Sequence, residues 1–207
     1  MIDAKALAPG FDDYVVSSQR VFRLALAGLS RPCLAWELNG VRLAPQTPLP
    51  PLAAALALTL LDSATPVWLS ASWRQAADWL RFHRGCPVRE QADEAAFVLA
   101  ASPAELPPLS ALNQGSERYP DSSATVVLGS VMPLDGQRAW LAKGPGIDGS
   151  IIFRGHGLDD DFLEQWRLNR ASYPLGTDVL LAGDKHLAGL PRSVSLEEWP
   201  GGDRACM

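Results

Sequence analysis

Lysine is nearly missing from this 207-residue chain, with Lys5, Lys143 and Lys185 the whole supply, so arginine carries almost all of the positive charge. Arginine's planar fork suits carboxylate and phosphate, and the plainer reading of the preference is codon bias of a GC-rich genome. The total of 18 Lys+Arg against 23 Asp+Glu leaves a formal net charge of -5. A nucleic-acid partner needs a cationic surface to neutralise phosphates, so this balance argues against one. Cysteine is also scarce. Cys33, Cys86 and Cys206 are odd in number and far apart, without the close pairs of zinc or redox motifs, and read as reduced thiols. No apolar run approaches the ~20 residues of a membrane span. The longest, Leu52 to Leu61, reads as a buried helix. The opening MIDAKALAPGFDD shows no basic segment followed by an apolar run and a cleavage site, which places the chain in the cytoplasm as an expectation.

What is present is a globular composition, 47% hydrophobic and 20% charged, in a chain long enough for one large core. Asp12 or Asp13 caps a helix to about Leu29, with Val15, Phe22, Leu26 and Leu29 as its apolar stripe and Gln19, Arg20 and Arg23 pointing elsewhere. Cys33–Leu38 reads as a strand, and Asn39-Gly40 predicts a hairpin to Val41–Leu43. The prolines before Leu52 preset the first turn of the buried helix. Thr65–Leu69 reads as a strand, and Ser72 as the cap of a helix carrying Trp73, Ala76, Ala77 and Leu80. Ala95–Ala100 is a strand and Leu109–Leu112 a short helical turn. Thr125–Val131 and Arg138–Ala142 form a predicted hairpin around Pro133–Gly136. Ser150–Arg154 is a strand before a helix whose first turn carries Asp159, Asp160 and Asp161. Asp178–Ala182 and Leu187–Leu190 are partner strands. Interleaved helices, strands and hairpins give an α/β fold with a mixed β-sheet flanked by helices.

Few motifs carry chemistry. Gly144–Gly149 spells GxGxxG, but Ser150–Phe153 after it has a strand signature, so no helix N-terminus is available to hold a pyrophosphate. Neither a P-loop nor a nucleophile elbow occurs. His83, His156 and His186 form no ligand pair, and only His156, between two glycines, has a setting that invites catalysis. Cys33 and Cys86 become nucleophiles only if flanking Arg31, Arg84 and Arg89 lower their pKa. The three aspartates Asp159–Asp161 suit a helix N-terminus better than a metal. Asp62 and Asp178, at element ends, read as caps for backbone amides. The seven tryptophans exceed what a small core needs, and any exposed one would mark a partner surface.

Eight segments taken in order resemble the PhnH family of the bacterial carbon–phosphorus lyase core. They are Leu7–Phe11, Ser18–Arg23, Ser30-Arg31-Pro32, Thr59–Asp62, Arg81-Phe82-His83, Gly144–Ile147, Pro174–Asp178 and Leu190-Pro191-Arg192. The resemblance implies a role in organophosphonate use beside PhnG-, PhnI- and PhnJ-type subunits. In that pathway a phosphonate such as methylphosphonate replaces adenine on the ribose of ATP. The implied fold is similar to the large domain of pyridoxal-phosphate-dependent transferases without the cofactor site, and only Lys143 and Lys185 lie internally to serve as a Schiff base. Cys33 stands where the family usually has glycine, a substitution that tolerates positive φ poorly. Tyr14 replaces a proline, and Ser193-Val194 a threonine pair.

The resulting expectation is one domain over residues 1–198 with a frayed tail over 199–207. It is an accessory subunit with no catalytic, cofactor-binding or metal residues of its own, and a possible homodimer in isolation. The alternative is direct nucleotide or phosphonate binding in an arginine-lined cleft with Arg20, Arg23 and Arg192.

Overall fold

The computed structural model describes residues 8–131 and 138–199. Among the described residues the α-helices are α1 (Tyr14–Ser30), α2 (Pro51–Leu60), α3 (Ala77–Arg84) and α4 (Asp160–Ala171). The strands are β1 (Trp36–Glu37), β2 (Val67–Leu69), β3 (Phe97–Ala100), β4 (Thr125–Leu128), β5 (Ala139–Lys143), β6 (Ile151–Arg154), β7 (Asp178–Ala182), β8 (His186–Leu190) and β9 (Ser195–Glu198). Six of them make a mixed sheet in the order β1-β8-β7-β4-β3-β2, and the other three a small antiparallel sheet in the order β6-β5-β9. Strands β2, β3, β4 and β7 run parallel, with β8 antiparallel to β7 and β1 antiparallel to β8. The expected mixed α/β sheet is what forms.

The core alternates across the large sheet as the two-residue strand period requires. Val67, Leu69, Leu99, Val127, Leu180 and Leu187 face one cluster with α1, α2 and α3. Val98, Val126, Leu128, Val179, Leu181 and Leu190 face a second cluster with α4 and the small sheet. Covering both faces explains why these strands read as unbroken apolar runs rather than as alternation. Helix α2 starts with Pro51 in its first turn and is buried from Leu52 to Leu58. On the second face Trp140 lies 6.0 Å from Phe153, and the Trp166 indole donates to the Val194 carbonyl at 3.0 Å.

Helix α1 begins as expected, with the Asp13 carboxylate accepting from the Val16 amide at 3.1 Å. Its inward face is different. Ser17, Val21, Ala25 and Gly28 are buried, whereas Val15, Phe22 and Leu26 face solvent. Small residues win because the helix lies directly on β8. A Cβ on Gly189 would stand 2.7 Å from the Leu29 nitrogen and against the Gly28 carbonyl. Bulky side chains would hold the two backbones apart.

Further expectations are corrected. Gly40 does turn the chain with φ +66°, but Leu43 bridges Phe11 and β1 pairs with β8, so Asn39-Gly40 closes no hairpin. Only Trp36–Glu37 of the Cys33–Leu38 segment is a strand. Strands β4 and β5 belong to different sheets and are no hairpin; the Pro133–Gly136 turn lies outside the described residues. Ser72 caps no α-helix: its amide and hydroxyl both bind the Glu105 carboxylate, at 2.9 and 2.6 Å, within a 3-10 segment Ala71–Ala76 preceding α3. Strand β9 was not anticipated. It pairs with β5, and the Trp199 amide donates to the Ala139 carbonyl at 2.9 Å, so the ordered fold includes the first residue assigned to the tail. Residues 200–207 are outside the description.

Candidate functional site

The register of the β7–β8 hairpin brings the two ends of a charged clamp together. Val179 pairs with Leu190, so the chain leaving β8 through Pro191 turns back over Asp178, at the amino-terminal edge of the parallel strands. The Asp178 carboxylate accepts from the Arg192 amide at 2.8 Å, from Nε at 3.1 Å and from Nη2 at 2.6 Å. Nη1 of Arg192 donates to the carbonyls of Pro120 at 2.8 Å and Pro174 at 3.4 Å. The side chains are only 12% and 24% exposed for Arg192 and Asp178. The clamp ties three separate segments together and lines an open cleft of about 380 Å³ with Pro120, Asp121, Pro145, Tyr173, Pro174 and Ser193.

Neighbouring loops are locked onto this clamp. Asn169 is buried; its amide donates to the Thr177 carbonyl at 2.9 Å and its oxygen accepts from the Thr177 amide at 2.8 Å. At Gly146 a Cβ would press on the Ser30 carbonyl and stand 2.8 Å from Pro32 Cδ, and φ there is +84°. The GPGI loop therefore seats on the end of α1 as a β5–β6 connection. Ser30–Pro32, Gly144–Ile147, Pro174–Asp178 and Leu190–Arg192 thus meet in one place.

Three more resembling segments, at Ala8–Phe11, Thr59–Asp62 and Arg81–His83, meet near the start of α1, while Ser18–Arg23 lies along the helix itself. The Ala8 carbonyl accepts from Trp79 Nε1 at 2.8 Å and lies 2.9 Å from His83 Nε2. Tyr14 donates its hydroxyl to the Leu58 carbonyl at 3.1 Å, and Arg84 Nε donates to the Leu61 carbonyl at 2.5 Å. Asp62 then accepts from the Thr65 hydroxyl and the Ala64 amide, which in that order hold its carboxyl below the usual range. Asp62 thus caps a backbone amide, as its position at an element end suggested, and His83 contacts the Ala8 carbonyl.

Other candidates separate. Arg20 donates to the Gly40 carbonyl. Neither Arg20 nor Arg23 lines the Arg192 cleft, so the three arginines do not share it. Burial pushes the Cys33 thiol up to about 12, and burial likewise raises Cys86 against the pull of Arg84 and Arg81, which removes both as activated nucleophiles. Cys33 has φ +63°, the conformation in which glycine is at ease. Asp159 caps α4 by accepting from the Phe162 amide at 2.8 Å, and Asp160 pairs with Arg138. Among the described residues no group of three metal-ligating side chains converges. His156 is exposed on the turn after β6, with Gly157 against the Ser130 carbonyl. Lys143 lies 3.4 Å from Glu197 on the surface. None of the seven tryptophans is exposed. Tyr173, Asp121 and Pro120 in the cleft had no signal in the residue pattern, since proximity there comes from tertiary turns.

The chain matches the family described as bacterial phosphonate metabolism protein (PhnH) over residues 9–197. The chain belongs to the PhnH family. It is 38% identical over 189 residues to the alpha-D-ribose 1-methylphosphonate 5-triphosphate synthase subunit PhnH of Rhizobium meliloti (strain 1021), covering 90% of this chain and 94% of that relative. The matched region takes in both ends of α1, the Arg192 clamp and both sheets. It ends inside β9. No helix among the described residues is long and apolar enough to cross a membrane.

Proposed function

We propose that this chain is an accessory subunit of the carbon–phosphorus lyase core. In this reading it supports transfer of the ribose triphosphate moiety of ATP to methylphosphonate without supplying the reacting groups. The observation that carries the reading is near full-length similarity to a named synthase subunit. The chemistry of the clamp supports it. Arg192 spends its guanidinium on Asp178 and two carbonyls, and a fork so occupied fixes loops rather than waiting for phosphate. The proposed partners are PhnG-, PhnI- and PhnJ-type subunits in the cytoplasm, with a homodimer as the isolated form. The fold is proposed to be that of pyridoxal-phosphate-dependent transferases without the cofactor.

The test is purification alone and after co-expression with those partners. Alone, the chain should neither consume ATP with methylphosphonate nor take up pyridoxal phosphate, while the co-expressed assembly should form the ribose phosphonate product. Turnover by the isolated chain at the assembly's rate overturns the accessory reading.

A second reading has one observation in its favour, the open cleft beside Arg192. In it the cleft takes a nucleotide or phosphonate directly. Isothermal titration with ATP and with methylphosphonate separates the two: binding lost in Arg192→Met supports the cleft, and no heat at millimolar ligand removes it.

A further inference from the structure

The outward face of α1 has a composition that its own fold does not use. Val15, Phe22 and Leu26 are 77%, 54% and 56% exposed. Their spacings of seven and four residues align them in one stripe along the helix, with exposed Gln19 between them and exposed Arg23 at the edge. The buried side chains of Ser17, Val21 and Ala25 already seat the helix. Within Ser18–Arg23, Val21 is core and Arg20 holds Gly40, so among the described residues neither Phe22 nor Arg23 is given a partner. Scattered exposed apolar residues need no explanation, but an aligned stripe with an arginine rim has the make-up of an interface centre.

Charge decides the occupant. From Tyr14 to Ser30 the helix carries Arg20 and Arg23 and no acid, although the whole chain has a net charge of -5. If the stripe packed on a second copy about a two-fold axis at Phe22, Arg23 would approach its own image with no carboxylate on either helix to separate them. Building on the subunit reading above, we propose that the Val15–Phe22–Leu26 face of α1 docks an apolar, acid-edged surface of another subunit of the assembly. Three side chains fall short of the ~800 Å² per partner of a standard interface. They are the anchor, and Arg23 and Gln19 belong to its polar rim.

The full chain is co-expressed with PhnG-, PhnI- and PhnJ-type subunits from one genome, captured through a tag on a partner, and weighed by light scattering after gel filtration. Phe22→Glu with Leu26→Glu should cut recovery of this chain at least tenfold, and Arg23→Glu several-fold, while Arg23→Lys and the distant Ile152→Glu leave it unchanged. Circular dichroism and urea midpoints equal to wild type confirm folding, since all these side chains are exposed. Failure of the wild type to co-purify defeats the subunit reading and this inference with it. Wild-type capture with an equally captured double variant defeats the inference alone. Capture insensitive to Arg23→Glu overturns the acidic edge. A variant that turns a dimer into a monomer yet stays in the assembly assigns the face to a second copy and overturns the proposal.

Discussion

Replacing Arg192 with methionine keeps the apolar stem and removes every guanidinium bond, leaving the Asp178 carboxylate with the backbone amide of residue 192 as its remaining partner. Breaking a fully buried ion pair from one side costs ~3–5 kcal/mol. Here water reaches a side chain that is 24% exposed, so the expected cost is about 2–3 kcal/mol. For a urea dependence of roughly 2–3 kcal/mol per molar, the unfolding midpoint falls by about 1 M. Asp178→Leu should cost a similar amount. The two together should cost less than their sum by about 1.5 kcal/mol, because the second change removes a group already without its partner. Equilibrium urea unfolding followed by tryptophan fluorescence gives all four corners of this cycle. Strict additivity, or a midpoint within about 0.3 M of wild type for Arg192→Met, would show that the clamp does not hold the cleft loops.

Cys33→Gly should exceed Cys33→Ala in stability by about 1 kcal/mol, since both lose the thiol but only glycine escapes the left-handed penalty; urea midpoints compare them. The Cys33 thiol, whose pKa is raised from 9.0 to about 12, stays protonated in the folded chain while the unfolded chain loses its proton near 9. Its contribution to stability is therefore complete below pH 9 and drains away between pH 9 and 12, and native Cys33 should resist iodoacetamide at pH 8 until urea exposes it. Glu105 is held below the usual carboxylate range, first by the Ser72 hydroxyl and then by the Ser72 amide. Ser72→Ala should move its titration upward toward the ordinary value, followed by NMR of the side-chain carboxyl. Gly146→Ala should destabilise by about 2 kcal/mol or more, because the new methyl meets both the Ser30 carbonyl and an unfavourable φ; an unchanged melting midpoint would contradict the seating of the loop on α1.

Much of the large sheet was legible because its strands are short apolar runs between prolines and glycines, and the β7–β8 hairpin because Gly183-Asp184 separates two such runs. The buried α2 announced itself by alanine and leucine without a charge. Failures share one cause, which is that local pattern cannot see the partner. Asn39-Gly40 is a sound turn, yet Leu43 goes to Phe11, which lies earlier in the chain. The apolar stripe of α1 has helical spacing, but contact with Gly189 selects the small-residue face instead. Ser72 has the right spacing for a cap and is taken by Glu105, a residue 33 positions away. In the site, Asp178 was recognised as an acid at an element end, whereas its pairing with Arg192 depends on the hairpin register.

Strand order also sets a timetable. The first strand, β1, has β8 as its sheet neighbour, and α1 rests on the same late strand. During synthesis β1 and the β8-facing side of α1 thus have no sheet to rest on until the segment from His186 to Leu190 has emerged and paired. Long-range closure of this kind slows folding. It also means that a nascent chain truncated before β8 cannot hold α1 in its final setting.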